Sequence, residues 1–220
     1  MLCSHCHVRL VAIVIALALS ATAPLAQSGD VAADNMVEAI WHVQSLTLEY
    51  DSTHAHYACD SLERKVRGIL QAVGAHDSVA VKARCMDAGL LNQASVQIVL
   101  ATPMPASEEN IRMATTFTAR DELLAKMRKT TLPTPANIPR FVATWRTLEL
   151  SRAPRVRLDV GDCDLLQNMN QQVFSRLAVR LTNENLNCSA SATRVRPRFE
   201  LRALIPTPLN PVARTGPQGM

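Results

Sequence analysis

The tetrapeptide Cys59-Asp60-Ser61-Leu62 has a counterpart 104 residues further along the chain, in Cys163-Asp164-Leu165-Leu166. Each tetrapeptide begins 18 residues after one of the two tryptophans, Trp41 and Trp145. Such self-similarity at a fixed spacing is the sequence signature of an internal repeat. The pattern therefore predicts two copies of one structural unit.

The same register continues to the end of both copies. A second cysteine follows the first at nearly the same distance, Cys85 after 26 residues and Cys188 after 25. The segment Val96–Pro105 then aligns with Phe199–Pro208. Four anchors that hold register within one or two residues favour duplication over chance.

Each copy is expected to contain one amphipathic helix after its first cysteine. Asp60 and Asp164 are predicted N-caps, because Glu63 and Gln167 follow them at capping-box spacing, and Gly74 is the expected end of the first helix. The apolar side chains recur at helical spacing. They are Leu62, Val66, Ile69, Leu70 and Val73 in the first copy, and Leu166, Met169, Val173 and Leu177 in the second.

Strands are predicted on both sides of each helix. Those before the helices are Ser45–Tyr50, Phe141–Leu150 and Arg155–Val160, and those after them show period-two alternation. The alternating apolar residues are Val79, Val81, Ala83 and Cys85, then Val96, Ile98 and Leu100, and in the second copy Phe199, Leu201 and Ala203. The region 177–188 is less regular. We therefore predict an α+β protein whose units run strand or hairpin, helix, strand, strand, with mainly antiparallel sheet.

The predicted boundaries are a first repeat over 27–105 and a second over 140–208. Residues 106–139 between them are expected to form a linker, which contains a short helix at Arg120–Lys129 and a proline-rich turn. That helix places its apolar residues on one side: Leu123, Leu124 and Met127. Residues 209–220 have no periodicity and are expected to be disordered.

The first 26 residues have the pattern of a secretory signal peptide. Arg9 precedes nine apolar residues, Leu10–Ala18, and small residues follow. Cleavage after Ala23 or after Ala26 is compatible with the sequence, and an uncleaved anchor is the alternative. We predict a periplasmic or secreted protein that contacts a membrane only through this segment.

Composition and motifs exclude several functional classes. The net charge is +4, and there are eight aromatic residues. A typical nucleic-acid binder has a larger positive charge and more aromatic side chains. No phosphate-binding glycine loop or serine-hydrolase motif is present. The haem-attachment pattern Cys3-Ser4-His5-Cys6-His7 precedes the apolar stretch and stays on the cytoplasmic side until removal. We therefore predict no cofactor and no nucleic-acid partner.

The repeat also predicts the disulfides. In an oxidising compartment the four remaining cysteines should pair, and three pairings are possible. Because each copy holds two cysteines, we predict Cys59 with Cys85 and Cys163 with Cys188.

Two polar clusters could carry chemistry. Asp159, Asp162 and Asp164 could hold a calcium ion or form an acid–base pair, but their spacing matches no calcium loop and a structural role is favoured. His54 and His56 could share a metal ion. No nearby carboxylate completes that set, so no metal site is predicted, although a metal-dependent or hydrolytic enzyme that uses this pair is the alternative function.

An arginine stripe is the remaining candidate for binding. From Arg140 to Arg202 the chain has eleven arginines and no lysine, and four of the arginines have even spacing on the last strand: Arg194, Arg196, Arg198 and Arg202. Guanidinium groups could bind phosphate or carboxylate groups of envelope lipids, cell-wall polymers or an acidic protein. We favour a solvated outer face that discourages edge pairing, and retain the anionic partner as a hypothesis.

The chain resembles uncharacterised secreted proteins of proteobacteria over residues 40–206. The resemblance rests on three stretches: Tyr57–Arg67, Gly74-Ala75 and Leu158–Leu165. It implies export and a shared fold, and it supplies no catalytic residue. Together these features predict an exported, disulfide-stapled binding or scaffold protein of the cell envelope.

Overall fold

A six-stranded antiparallel sheet forms the framework in a computed structural model, which describes residues 35–52, 55–85, 92–182 and 197–207. In chain order the strands are β1 Met36–Asp51, β2 Ala80–Arg84, β3 Gln93–Pro105, β4 Arg140–Glu149, β5 Val179–Leu181 and β6 Glu200–Pro206. The helices are α1 Cys59–Ala72, α2 Glu108–Ala114, α3 Ala119–Arg128 and α4 Cys163–Gln172. The predicted α+β class with antiparallel sheet is confirmed. No helix within these described ranges is long and apolar enough to cross a membrane.

The sheet has the strand order β2-β3-β1-β4-β6-β5. β1 pairs with β3 from Ala39 to Asp51, but with β4 only over Met36–Ile40. The element order is β1-α1-β2-β3 in one half and β4-α4-β5-β6 in the other. Descent of the two halves from one duplicated unit stays a prediction, as do the boundaries at 27–105 and 140–208.

One apolar core joins both halves. All five predicted apolar residues of the first helix are buried, and so are the alternating residues of β3, Val96, Ile98 and Leu100. Leu166, Met169 and Val173 of the second half join the same core, whereas Leu177 is only partly buried. Burial of such a face supplies most of the stability of a short helix.

Side chains of α4 cover the edge of β1 that β4 leaves unpaired. The Gln172 amide accepts a hydrogen bond from the Glu49 nitrogen at 2.8 Å and donates one to the Glu49 oxygen at 2.9 Å. Asn168 donates to the Asp51 oxygen at 2.9 Å. The two amides thus take the place of a neighbouring strand, which protects an edge that would otherwise invite pairing.

The predicted N-caps at Asp60 and Asp164 are wrong. α1 begins at Cys59 after Ala58, and the Asp60 carboxylate binds Arg64 one turn later, which lowers the pKa of Asp60. α4 begins at Cys163, and Asp164 accepts a hydrogen bond from Ser52. Both acidic residues lie inside the first turn, where the helix dipole favours a negative charge without a cap.

The predicted strand at Arg155–Val160 is also wrong. The segment is a loop in which Val156 and Leu158 are buried, so its alternation reflects packing and not ladder pairing. Its backbone approaches α1 closely: a Cβ atom on Gly68 would lie 2.8 Å from the Arg155 oxygen. The loop therefore lies directly against the helix.

The linker has more structure than the sequence predicts. It contains α2, which Ser107 caps, in addition to α3, close to the predicted short helix. Leu123 and Met127 of α3 are 59% and 72% exposed, so the predicted apolar side is largely outside the core. The predicted first strand likewise begins earlier, at Met36.

Gly74 ends α1 in a conformation that other residues adopt at a cost. Its φ is +97°, and a Cβ atom would lie 2.6 Å from the Leu204 oxygen. We expect Gly74→Ala to lower the free energy of unfolding by about 2 kcal/mol, because strain and a backbone clash add. Urea unfolding measures this, and a loss below about 0.5 kcal/mol, as at an ordinary surface site, would contradict the tight contact.

Candidate functional site

A cleft of about 730 Å³ opens between α1 and the loop 155–162. We call it the α1 cleft. Four cationic side chains and two carboxylates line it: Arg64, Lys65, Arg155, Arg157, Asp159 and Asp162. The lining thus carries two net positive charges.

The local sequence explains why these side chains face the cleft. Val156 and Leu158 are buried in the core, so the residues that alternate with them, Arg155, Arg157 and Asp159, point outward. On the helix, Arg64 and Lys65 precede the buried Val66 and occupy the side that faces the loop. The buried residues therefore determine the direction in which the neighbouring cationic side chains point.

A charge network around the buried Asp162 forms one wall of the α1 cleft. The Asp162 side chain is 1% exposed, and its Oδ2 lies 2.6 Å from the Lys65 Nζ. The Tyr57 hydroxyl donates to the Asp162 Oδ1, and the Asp159 nitrogen donates to Oδ2 at 2.6 Å. Lys65 also binds Asp159, at 2.8 Å. The two carboxylates thus share the single positive charge of Lys65.

Tyr57 is a fixed hydrogen-bond donor in this network. Burial, together with the hydrogen bond to Asp162, raises the pKa of Tyr57 far above its usual range. Its ring contacts Tyr50 edge-on at 5.5 Å between centroids, and burial raises the pKa of Tyr50 to about 12. Both rings stay neutral at physiological pH. Tyr57 thereby holds Asp162 in the wall of the cleft, while the Tyr50 hydroxyl donates to the Ala55 oxygen at 3.0 Å.

The other three cationic side chains of the cleft are exposed to solvent, where a dissolved anion can reach them. Arg64 pairs with Asp60 at 2.5 Å and Arg155 with Asp77 at 3.2 Å, with all four side chains more than 60% exposed. Arg157 is exposed and forms no ion pair with any residue that the structure describes. Exposed ion pairs contribute only about 0 to 1 kcal/mol. An entering anion can therefore compete for these guanidinium groups.

The structure assigns partners to the three predicted acidic residues. Asp159 and Asp162 bind Lys65, and the Asp164 Oδ2 accepts a hydrogen bond from the Ser52 hydroxyl at 2.6 Å. Within the described ranges, no group of three His, Cys, Asp or Glu residues could hold a metal ion. These contacts indicate structural roles.

Only one member of the histidine pair can be placed. His56 lines the α1 cleft together with Ser61, but no hydrogen bond joins their side chains among the described residues. His54 lies outside those residues. The alternative enzymatic function through this pair therefore stays a prediction.

The structure describes two of the four residues of the arginine stripe, Arg198 and Arg202. Arg198 is 83% exposed and lies 3.9 Å from Glu149, whereas Arg202 donates to Asn35 at 2.6 Å and lies over the Trp145 ring. Arg194 and Arg196 are outside the described residues. These two arginines thus have different surroundings, and an anionic partner for the stripe stays a hypothesis.

One predicted disulfide is present, between Cys59 and Cys85. It ties the first residue of α1 to the residue after β2. Cys163 is disulfide-bonded as well, and Cys188, its predicted partner, lies outside the described residues. The second pairing is thus still a prediction.

The α1 cleft itself was not predicted. Arg64 and Lys65 are far in sequence from Arg155 and Arg157, so the sequence does not predict that the four side chains line one cleft. The available signal is the alternation of arginine with Val156 and Leu158, which predicts outward-facing cations whether the segment is a strand or a loop.

Comparison with protein-family models, with curated proteins and with solved structures finds no match. The resemblance to secreted proteins of proteobacteria therefore rests on the quoted residues alone.

Proposed function

We propose that this protein is an exported binding protein of the cell envelope that holds an anionic group in the α1 cleft. The observation that carries the proposal is the set of exposed guanidinium groups around one cavity of about 730 Å³: Arg64, Arg155 and Arg157. No enzymatic step is needed to explain this arrangement.

The chemistry of the lining favours an oxyanion. A guanidinium group offers paired N–H donors that match carboxylate and phosphate oxygens, and it remains charged at any physiological pH. Asp159 and Asp162 would repel such a ligand if they were unpaired. Because both bind Lys65, at 2.8 and 2.6 Å, their repulsion is reduced. The charge network around Asp162 thus prepares a wall next to which an anion can bind.

Export is supported by sequence and by cysteine chemistry. Residues 1–26 have the basic, apolar and small-residue regions of a signal peptide. The Cys59–Cys85 bond fits an oxidising compartment, where disulfides persist. The expected ligand is therefore an anionic component outside the cytoplasm.

The proposal predicts that the triple variant Arg64→Gln/Arg155→Gln/Arg157→Gln loses one bound anion per chain. All three side chains are exposed, so folding should be preserved. Charge-assisted hydrogen bonds contribute about 1.5 to 3 kcal/mol each, so removing even one should weaken binding about tenfold or more. Calorimetric titration with sodium pyrophosphate and with sodium citrate measures the loss.

A matched control removes the same charge elsewhere. Arg112, Arg120 and Arg128 are exposed residues of α2 and α3, and their replacement by glutamine should leave the binding unchanged. Equal loss in both triple variants would mean that net charge alone attracts the anion. Absence of any saturable binding to the unsubstituted protein, with either anion, would overturn the proposal.

A further inference from the structure

Two arginines of the second half face each other on neighbouring strands. Arg180 of β5 and Arg202 of β6 are register partners in the antiparallel ladder. Their guanidinium carbons lie 5.2 and 5.7 Å from the centroid of the Trp145 ring. The indole therefore holds two like charges close together.

This arrangement is electrostatically unfavourable. Like charges directly opposite one another destabilise a strand pair, and contact with an aromatic face offsets this only in part. Arg202 donates to the neutral side chain of Asn35, and neither arginine forms an ion pair with any acidic residue in the described ranges. An anion bound by Arg180 would reduce this repulsion.

A pocket of about 360 Å³ lies beside Arg180 and Trp145, and Arg202 is not part of its described lining. Trp145, Arg180 and Arg176 line the pocket, together with the neutral side chains of His42, Gln44 and Ser175. The Ser175 hydroxyl already donates to the Gln171 oxygen at 3.1 Å, and the Gln44 amide donates to the Arg176 oxygen at 3.5 Å. Burial lowers the pKa of His42, so its ring is neutral at physiological pH and can offer one N–H. The described lining contains no carboxylate. This differs from the α1 cleft, where two carboxylates are present.

We propose that this pocket is a second anion site, which binds a carboxylate or phosphate group between Arg176 and Arg180 beside Trp145. Its residues are distinct from those of the α1 cleft, so the inference does not rest on the proposed function. The volume limits the occupant to a small molecule or to one anionic group of a larger one.

Trp145 provides a direct reporter for this site. The chain has two tryptophans, and Trp41 stacks on Phe141 at 4.7 Å between ring centroids, so Trp41→Phe keeps an aromatic side chain there. In this variant the emission comes from Trp145. We expect a saturable change in emission on titration with sodium pyrophosphate or sodium citrate, compared with sodium chloride at equal ionic strength.

Further variants in the Trp41→Phe background locate the anion. We expect Arg176→Gln/Arg180→Gln to weaken the apparent affinity about tenfold or more, since both guanidinium groups face the pocket. Arg112→Gln/Arg120→Gln, with the same charge change on α2 and α3, should bind as before. The cleft triple variant should also retain the change in emission, which separates the two sites.

The probes also distinguish the chemistry of the ligand. A response to pyrophosphate alone assigns the site to phosphate groups, a response to citrate alone assigns it to carboxylates, and either supports the inference. A response no larger than that of sodium chloride overturns it. Unchanged affinity in Arg176→Gln/Arg180→Gln does the same, provided that circular dichroism shows an intact fold.

Discussion

Replacement of Lys65 by methionine is expected to lower the free energy of unfolding by about 3 to 5 kcal/mol, the cost of breaking a buried ion pair from one side. The Asp162 side chain is 1% exposed, and its Oδ2 lies 2.6 Å from the Lys65 Nζ. Methionine fills a similar volume but supplies no charge, so the Asp162 carboxylate would stay buried without its cation. Urea unfolding of the purified protein measures the loss.

Two comparison variants separate the buried pair from general charge effects. Arg64→Met removes the neighbouring cation, whose pair with Asp60 is exposed on both sides, and should change stability by less than about 1 kcal/mol. Lys65→Met/Asp162→Asn should recover part of the loss, because asparagine removes the unpaired charge and can still accept from Tyr57, although its NH2 group then faces the Asp159 nitrogen. Equal losses for Lys65→Met and Arg64→Met would contradict the burial of this pair.

Removal of the Cys59–Cys85 disulfide is expected to cost about 3 to 4 kcal/mol in the chain-entropy model. The bond closes a loop with a sequence separation of 26 residues, which contains all of α1 and β2. In Cys59→Ala/Cys85→Ala the unfolded chain gains this conformational freedom, and the start of α1 loses its tether. Urea unfolding of the variant beside the oxidised protein tests this.

Cysteine chemistry provides the control for that experiment. Cys163 and Cys188 are unchanged in both proteins, so the difference reports the Cys59–Cys85 bond alone. Non-reducing peptide mapping should find Cys163 joined to Cys188 in the unsubstituted protein. A bridge from Cys59 to any other cysteine, or a stability difference below about 1 kcal/mol, would contradict the assignment.

The sequence predicts those helices and strands in which apolar side chains recur at regular helical spacing or at every second position. Leu62, Val66, Ile69 and Leu70 recur at helical spacing and are all fully buried, because one face of α1 packs on the core. β3 is predicted in the same way, because its buried residues recur at every second position. The loop 155–160 shows that alternation is not sufficient: Val156 and Leu158 are anchored by packing, while their backbone has no strand partner in the part of the chain that the structure describes.

Long-range contacts explain why the α1 cleft was not predicted. Lys65 meets Asp159 and Asp162, which lie 94 and 97 positions later, so no local motif marks the network. Asp159 and Asp162 are close in sequence, but the packing of the loop against α1 decides that Lys65 is their partner. Arg180 and Arg202 likewise become neighbours only through the pairing of β5 with β6.

The central claim, that an anion binds in the α1 cleft, is tested most directly by two-dimensional amide NMR during titration with sodium pyrophosphate. A bound anion changes the chemical environment of the nearest backbone amides. We predict saturable shifts in residues 55–65 and 155–162 that are absent with sodium chloride at equal ionic strength and absent in Arg64→Gln/Arg155→Gln/Arg157→Gln. Unshifted amides in both segments at saturating pyrophosphate would contradict the account.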